Sequence, residues 1–197
     1  MMASFTLAEL AKGISASTDT LNTAELVLSA HKINTDTRAI KKGDVFLALR
    51  GDNFDGHDYL AQARASGAIA AIVDERFAGD AEKITDLGSF PLLVVADTLF
   101  ALGKAGQWNR NKFTGPVISI TGSAGKTSVK SMAAHMMTLV GACWSTPGNF
   151  NNHVGAPLTL LGLSPEYKAA VIELGASGPG EIAYTSQFTQ PDVAIIT

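Results

Sequence analysis

The chain has 197 residues, 46% of them hydrophobic and 17% charged, which suits one large domain or two small ones and not a disordered tail. Its 15 basic and 18 acidic side chains give a formal charge of −3, so no basic excess drives non-specific nucleic-acid binding, although a local anion site stays open. The single cysteine, Cys143, excludes an intramolecular disulfide and a cysteine-based zinc cluster and fits a reducing compartment. The N-terminus, Met1 to Leu7, lacks the basic start and apolar stretch of a signal peptide. The longest apolar run, Ala68 to Val73, falls far short of the ~20 residues of a bilayer span. A cytoplasmic chain without membrane insertion is expected.

Thr6-Leu7-Ala8-Glu9 reads as a capping box opening a short helix. Val45–Leu49 is a strand closed by the polar turn Arg50-Gly51-Asp52-Asn53. A helix covers Tyr59 to Ser66 and stops at Gly67, with a strand over Ala68–Val73. A polar stretch, 74–89, leads to strand Leu92–Val95, and Asp97 is a good N-cap for a helix reaching about Arg110. Composition changes abruptly over 109–116, dividing the chain into 1–112 and 113–197. Beyond this boundary come strand Val117–Ile120 and helix Lys126–Val140. The helix carries an apolar stripe of Val129, Met132, Ala133, Met136, Met137 and Val140, read as core, and Gly141 suits the C′ position. Strands Ala169–Leu174 and Asp192–Thr197 flank a Gly-rich turn and a helix over Glu181–Phe188. The expectation is therefore an α/β chain: a small N-terminal α/β domain, then an α/β domain with a mainly parallel sheet. The last six residues read as a buried strand with nothing after it, so a fragment of a longer protein is expected.

The sharpest local signal is Thr121-Gly122-Ser123-Ala124-Gly125-Lys126-Thr127-Ser128, between a β-branched strand and an amphipathic helix, the context of a P-loop. Glycines let successive N–H groups turn toward phosphate oxygens, and the helix N-terminus adds partial positive charge. Lys126 offers a point charge to the β and γ phosphates, and Thr127 a hydroxyl to Mg²⁺. The usual pattern wants glycine at position 120, where this chain has Ile120. An ordinary strand-to-helix turn is the alternative. Glu173 closes an apolar strand, as does the magnesium-holding acid of P-loop enzymes; a solvated strand-end glutamate is the other reading. Gly175, Gly178 and Gly180 fall in the wrong order for a dinucleotide fingerprint.

Three stretches together resemble the Mur ligase family, the ATP-dependent amide ligases of peptidoglycan precursor synthesis: residues 120–130, 146–161 (Thr146-Pro147-Gly148-Asn149-Phe150-Asn151-Asn152-His153 onward) and 173–182. The family's compressed P-loop accounts for Ile120. The second and third stretches are similar to the branch that adds D-alanyl-D-alanine. Upstream, Asp36-Thr37-Arg38, Gly43 to Leu49 and Asp55-Gly56-His57 resemble the family's UDP-sugar-binding domain.

The resemblance implies ATP and Mg²⁺ as cofactors, with UDP-N-acetylmuramoyl-tripeptide and D-alanyl-D-alanine as substrates. It implies Lys126 and Glu173 as catalytic residues and Thr127 and Glu173 as metal ligands. Gly122, Ser123, Ala124, Gly125, Lys126, Thr127, Ser128, Asn149 and Asn152 would bind nucleotide, and Thr37, Arg38, Asp55 and His57 the sugar nucleotide. A monomer is expected. Arg38 fits a UDP phosphate bidentately or pairs with Asp36; asparagines 149, 151 and 152 either approach phosphate or shape their own loop; His153 either reaches phosphate or is solvated. The Asp52, Asp55 and Asp58 spacing fails the EF-hand pattern and reads as a polar turn. The family has three domains, and its carbamylated lysine would lie beyond Thr197. A noncatalytic nucleotide or UDP-sugar binding module is the competing function.

Overall fold

The computed structural model describes residues 3–51 and 53–197, so Met1, Met2 and the predicted turn residue Asp52 lie outside the described residues. Main-chain packing divides the chain into two compact units, 3–101 and 102–197.

The first unit opens with β1 (Phe5–Thr6) and α1 (Leu7–Ile14). The expected capping box is present: Glu9 N–H donates to Thr6 Oγ1 at 3.2 Å and Thr6 N–H to the Glu9 carboxylate at 2.8 Å. Next come α2 (Thr23–Leu26), β2 (Ser29–Ala30), β3 (Lys32–Asn34) and a 3₁₀ turn at Thr37–Ala39. They are followed by β4 (Asp44–Leu47), β5 (Arg50–Gly51), β6 (Phe54–Asp55), a second 3₁₀ turn (Gly56–Tyr59) and α3 (Leu60–Ala65). The unit closes with β7 (Ala70–Asp74), α4 (Glu75–Ala78), α5 (Ala81–Leu87) and β8 (Leu92–Val95). Strands order β3-β4-β7-β8, all parallel. The two central strands are buried along their whole length, as parallel strands covered on both faces must be. Phe46, Leu60, Ala71, Phe77 and Leu92 share the core.

The stretch 74–89 differs from its expectation as a polar connection, because it folds into α4 and α5. Asp74 both ends β7 and caps α4, accepting the Phe77 N–H at 2.8 Å, and Phe77 and Leu87 turn into the core.

Helix α6 (Thr98–Arg110) starts where expected, with Asp97 Oδ1 accepting the Phe100 N–H at 2.7 Å. In the second unit it is fastened by Asn109, whose amide donates to Leu160 O and Leu163 O at 2.8 and 2.9 Å. Arg110 donates to Thr189 O and Gln190 O. The unit continues with β9 (Val117–Thr121), α7 (Lys126–Met137), β10 (Cys143–Ser145), α8 (Gly155–Leu161), β11 (Ala169–Glu173), α9 (Glu181–Thr189) and β12 (Val193–Ile196). Its sheet orders β10-β11-β9-β12, again all parallel. Among the described residues no helix is long and apolar enough to cross a membrane.

Two expectations are corrected here. Helix α7 ends at Met137, not Val140, and Met132 and Met136 of the supposed core stripe are 59% and 67% exposed, with Val140 also exposed. The buried residue of this helix is Lys130. Turning it toward the sheet rotates the inward face by most of one residue's ~100° step, so Val129, Ala133 and Met137 stay partly covered while the other methionines face out. Likewise β12 forms where expected, but it is largely exposed and not buried. It lies at the end of the strand order, paired only with β9 among the described residues.

Candidate functional site

The loop between β9 and α7 is set by two glycines with positive φ. Gly122 has φ 138°, and a Cβ there would lie 2.1 Å from Thr197 O; Gly125 has φ 78° at the helix start. Neither conformation suits a side chain. Ile120, at the position of the longer motif's glycine, is instead fully buried in β9. The first helical bond into the loop runs from Val129 N–H to Gly125 O at 3.0 Å. The N–H groups of the preceding turn are therefore those a helix start leaves without intrahelical acceptors, the kind of donors that can hold an anion. Lys126 Nζ folds back over the loop to donate to Gly122 O at 2.7 Å.

Parallel pairing of β11 with β9 sets Glu173 opposite Ile120, which brings its carboxylate to the first turn of α7. Glu173 is 1% exposed. Its Oε1 accepts from Thr127 Oγ1 at 3.3 Å and from Asn151 Nδ2 at 2.8 Å. Its Oε2 accepts no hydrogen bond and faces Lys130 Nζ at 3.4 Å, a charge contact without hydrogen-bond alignment. The backbone N–H of Glu173 donates to Thr146 Oγ1 at 2.8 Å.

The predicted pair Thr127 and Glu173 is thus brought together beside the loop of Lys126. Ser123, Ala124 and Ser128 are exposed around it. Asn149 is exposed, and Asn152 caps α8, its Oδ1 accepting the Val154 and Gly155 N–H groups at 3.2 and 2.8 Å. His153 is exposed. Lys130 joins the carboxylate although it was not a predicted site residue, and Asn151, weighed for phosphate or for shaping its own loop, bonds Glu173 instead. The available signal for Lys130 was its spacing, one helical turn beyond Lys126 and so on the same face.

Magnesium keeps several waters and takes one or two carboxylates plus phosphate oxygens, not an all-protein cage. The buried, unbonded Oε2 of Glu173 and the neighbouring Thr127 hydroxyl fit that ion. No cluster of three or more His, Cys, Asp or Glu side chains able to hold a metal exists among the described residues.

In the first unit, Thr35, Asp36, Thr37, Arg38, Phe54 and Tyr59 help line a pocket of about 460 Å³. Arg38 grips Asp36 with Nε–Oδ1 at 2.9 Å and Nη2–Oδ2 at 2.7 Å, and these hydrogen bonds hold the Asp36 carboxyl down at about 2. Asp55 and His57 are engaged with each other. The His57 ring is fully buried, with Nδ1 2.6 Å from Asp55 Oδ1, while Nε2 accepts the Asp74 N–H at 3.1 Å. It stacks on Phe77 at 5.1 Å. Arg50 bridges Asp55 and Asp74, with Nε 2.5 Å from Asp74 Oδ2. Burial alone would raise both acids, but hydrogen bonds from Arg50 and Phe77 to Asp74, and from His57 to Asp55, outweigh it and keep both below the ordinary carboxylate range.

A parallel sheet whose strand-end glycine loop opens a helix, with a second strand's carboxylate beside it, defines a P-loop α/β protein. Residues 120–197 match the Mur ligase middle domain, and residues 29–99 match the catalytic domain of the Mur ligase family. The chain belongs to the Mur ligase family.

Among its relatives, the UDP-N-acetylmuramoyl-tripeptide–D-alanyl-D-alanine ligase of Escherichia coli (strain K12) is 42% identical over 99% of this chain and 40% of its own length. The protein of the same name from Haemophilus influenzae is 43% identical over 86% of this chain and 36% of its length. A crystal structure of MurF from Acinetobacter baumannii superposes with a TM-score of 0.85 at 38% identity, covering 99% of this chain and 41% of the other. MurF ligase from Thermotoga maritima in complex with ADP gives 0.72 at 30% identity, over 85% and 37%. The chain spans about 40% of the length of these relatives.

Proposed function

We propose that the full-length protein containing this chain is an ATP-dependent amide ligase of peptidoglycan precursor synthesis, joining D-alanyl-D-alanine to UDP-N-acetylmuramoyl-tripeptide. The observation that carries the reading is the meeting of Lys126, Thr127 and Glu173 at the adjacent ends of β9 and β11. The names of the relatives and the ADP complex support the substrates and the nucleotide.

In this reading the γ-phosphoryl group passes from ATP to the terminal carboxylate of the tripeptide. The bond to ADP breaks and an acyl phosphate forms. The amine of D-alanyl-D-alanine then attacks the acyl carbon, loses a proton and expels inorganic phosphate. The first step requires two anions to approach each other, and fixed positive charge at the meeting point lowers that barrier. Lys126 and the loop N–H groups from Gly122 to Ser128 supply it. Thr127 and Glu173 would hold Mg²⁺, which neutralises phosphate charge when bound. Asn149 and Asn152 border the phosphates.

The N-terminal portion, 1–112, takes the UDP-sugar, and 113–197 begins the ATP-binding domain. Thr37 and Arg38 meet the nucleotide in their pocket, the guanidinium exchanging Asp36 for a phosphate of matching geometry, while Asp55 and His57 hold the adjoining turn. The protein works as a cytoplasmic monomer, where ATP and the UDP-linked precursor are available. Because this chain spans about 40% of its relatives, the 197-residue piece by itself is expected to bind ligands without joining them.

Phosphate release by the full-length protein tests the reading. It should require ATP, the UDP-linked tripeptide and D-alanyl-D-alanine together; release indifferent to the dipeptide would contradict it.

A further inference from the structure

We propose that Lys130 is a positioning residue that fixes the Glu173 carboxylate for magnesium, a role that rests on the nucleotide reading above. A lysine is almost never buried unless its charge is paired, yet Lys130 is 6% exposed while two methionines of the same helix face out. A methionine at 130 would fill a similar volume, so packing does not explain the choice.

The contacts do. The ammonium has three protons and three acceptors within reach: Thr146 O at 3.1 Å, Gly148 O at 3.4 Å and Glu173 Oε2 at 3.4 Å. It approaches from one turn further along α7 than Lys126, whose own ammonium is on the loop at Gly122 O.

Each oxygen of Glu173 is thereby assigned. Oε1 is shared by Thr127 and Asn151, while Oε2 is drawn by charge to Lys130 but left without a hydrogen bond. An oxygen held in direction and not consumed by a donor is what an incoming cation needs. The same ammonium ties the carbonyls of Thr146 and Gly148, which open the loop carrying Asn149, Asn151 and Asn152. One charge therefore registers α7, β11 and that loop against one another. Partners that hold a metal ligand from behind typically control metal affinity by about 10–100-fold when removed.

The test uses the full-length protein and two separable titrations: ADP in the presence of EDTA, then Mg²⁺ into the ADP-bound protein. Lys130→Gln keeps amide donors for the two carbonyls but removes the charge facing Glu173. It should leave ADP affinity in EDTA within about twofold and raise the Mg²⁺ half-saturation concentration about tenfold, and Lys130→Arg should recover most of that loss. An unchanged Mg²⁺ titration in Lys130→Gln, or an equal loss of ADP affinity in EDTA, overturns the proposal. Should Lys130→Gln fail to fold, the wild type decides. The Lys130 side-chain resonance should move when Mg²⁺ is added to the ADP-bound protein, and a stationary resonance overturns the role. Absence of nucleotide binding by the wild type itself would instead overturn the functional reading, and this inference with it.

Discussion

At position 122 a side chain has no room, because its Cβ would fall 2.1 Å from the carbonyl oxygen of Thr197 and its φ of 138° is one that only glycine adopts freely. Gly122→Ala should therefore destabilise the protein by about 1–3 kcal/mol, measured by denaturant unfolding, and should weaken nucleotide binding as well; an unchanged midpoint would contradict the strain. Lys126 and Thr127 were legible in the sequence because strand, loop and helix follow in order and place them by chain connectivity, and Glu173 because it closes an apolar strand; the pairing of β11 with β9 brings it to them. Lys130 was not, since a periodicity count scores apolar residues and passes over a lysine that is buried for its charge. The bond from Asn151 to Glu173 was not foreseen for a related reason. Three asparagines share one loop, and only the fold decides that Asn152 caps α8 while Asn151 reaches Glu173.

At the level of elements, the strands with continuous apolar runs were readable, and β8 spans Leu92–Val95 as expected; β3 (Lys32–Asn34), with one apolar residue, and β5 (Arg50–Gly51), inside the expected polar turn, were not. Helices α4 and α5 were hidden in a polar stretch, and α8 by a proline that suits the first turn of a helix. The 3₁₀ turn after β6 is held against the junction of β7 and α4 by the Arg50, Asp55, His57 and Asp74 network. Asp55 and Asp74 both lie below the ordinary carboxylate range in the folded chain, so their contribution to stability is present above the unfolded value, about 3.9, and is lost as pH falls through the lower folded values. Thermal unfolding followed by circular dichroism should show the midpoint falling as pH drops from about 5 toward 2. Asp74→Asn should lower the midpoint at neutral pH and make that decline shallower. A mutant curve parallel to wild type would show that the network does not set the acid sensitivity.

Across the whole molecule, the α/β class and the parallel sheet of the second unit followed from strand–helix alternation, whereas the parallel order β3-β4-β7-β8 of the first unit and the exposure of the last strand did not. Val193 and Ile196 are 52% and 81% exposed on β12, which among the described residues pairs only with β9, and such an edge can template pairing with another chain. The 197-residue chain taken alone should therefore self-associate, and Ile196→Lys should reduce its light scattering at matched concentration; equal scattering would place the association elsewhere.

The central claim is that the loop from Gly122 to Ser128, with Lys126, grips the phosphates of ATP. Calorimetric titration of ATP into the full-length protein, with and without Mg²⁺, addresses it most directly. The expected result is binding at one site that weakens when Mg²⁺ is withdrawn and vanishes in Lys126→Ala. Absence of ATP binding by the folded wild type, or undiminished binding by the folded Lys126→Ala variant, would contradict it.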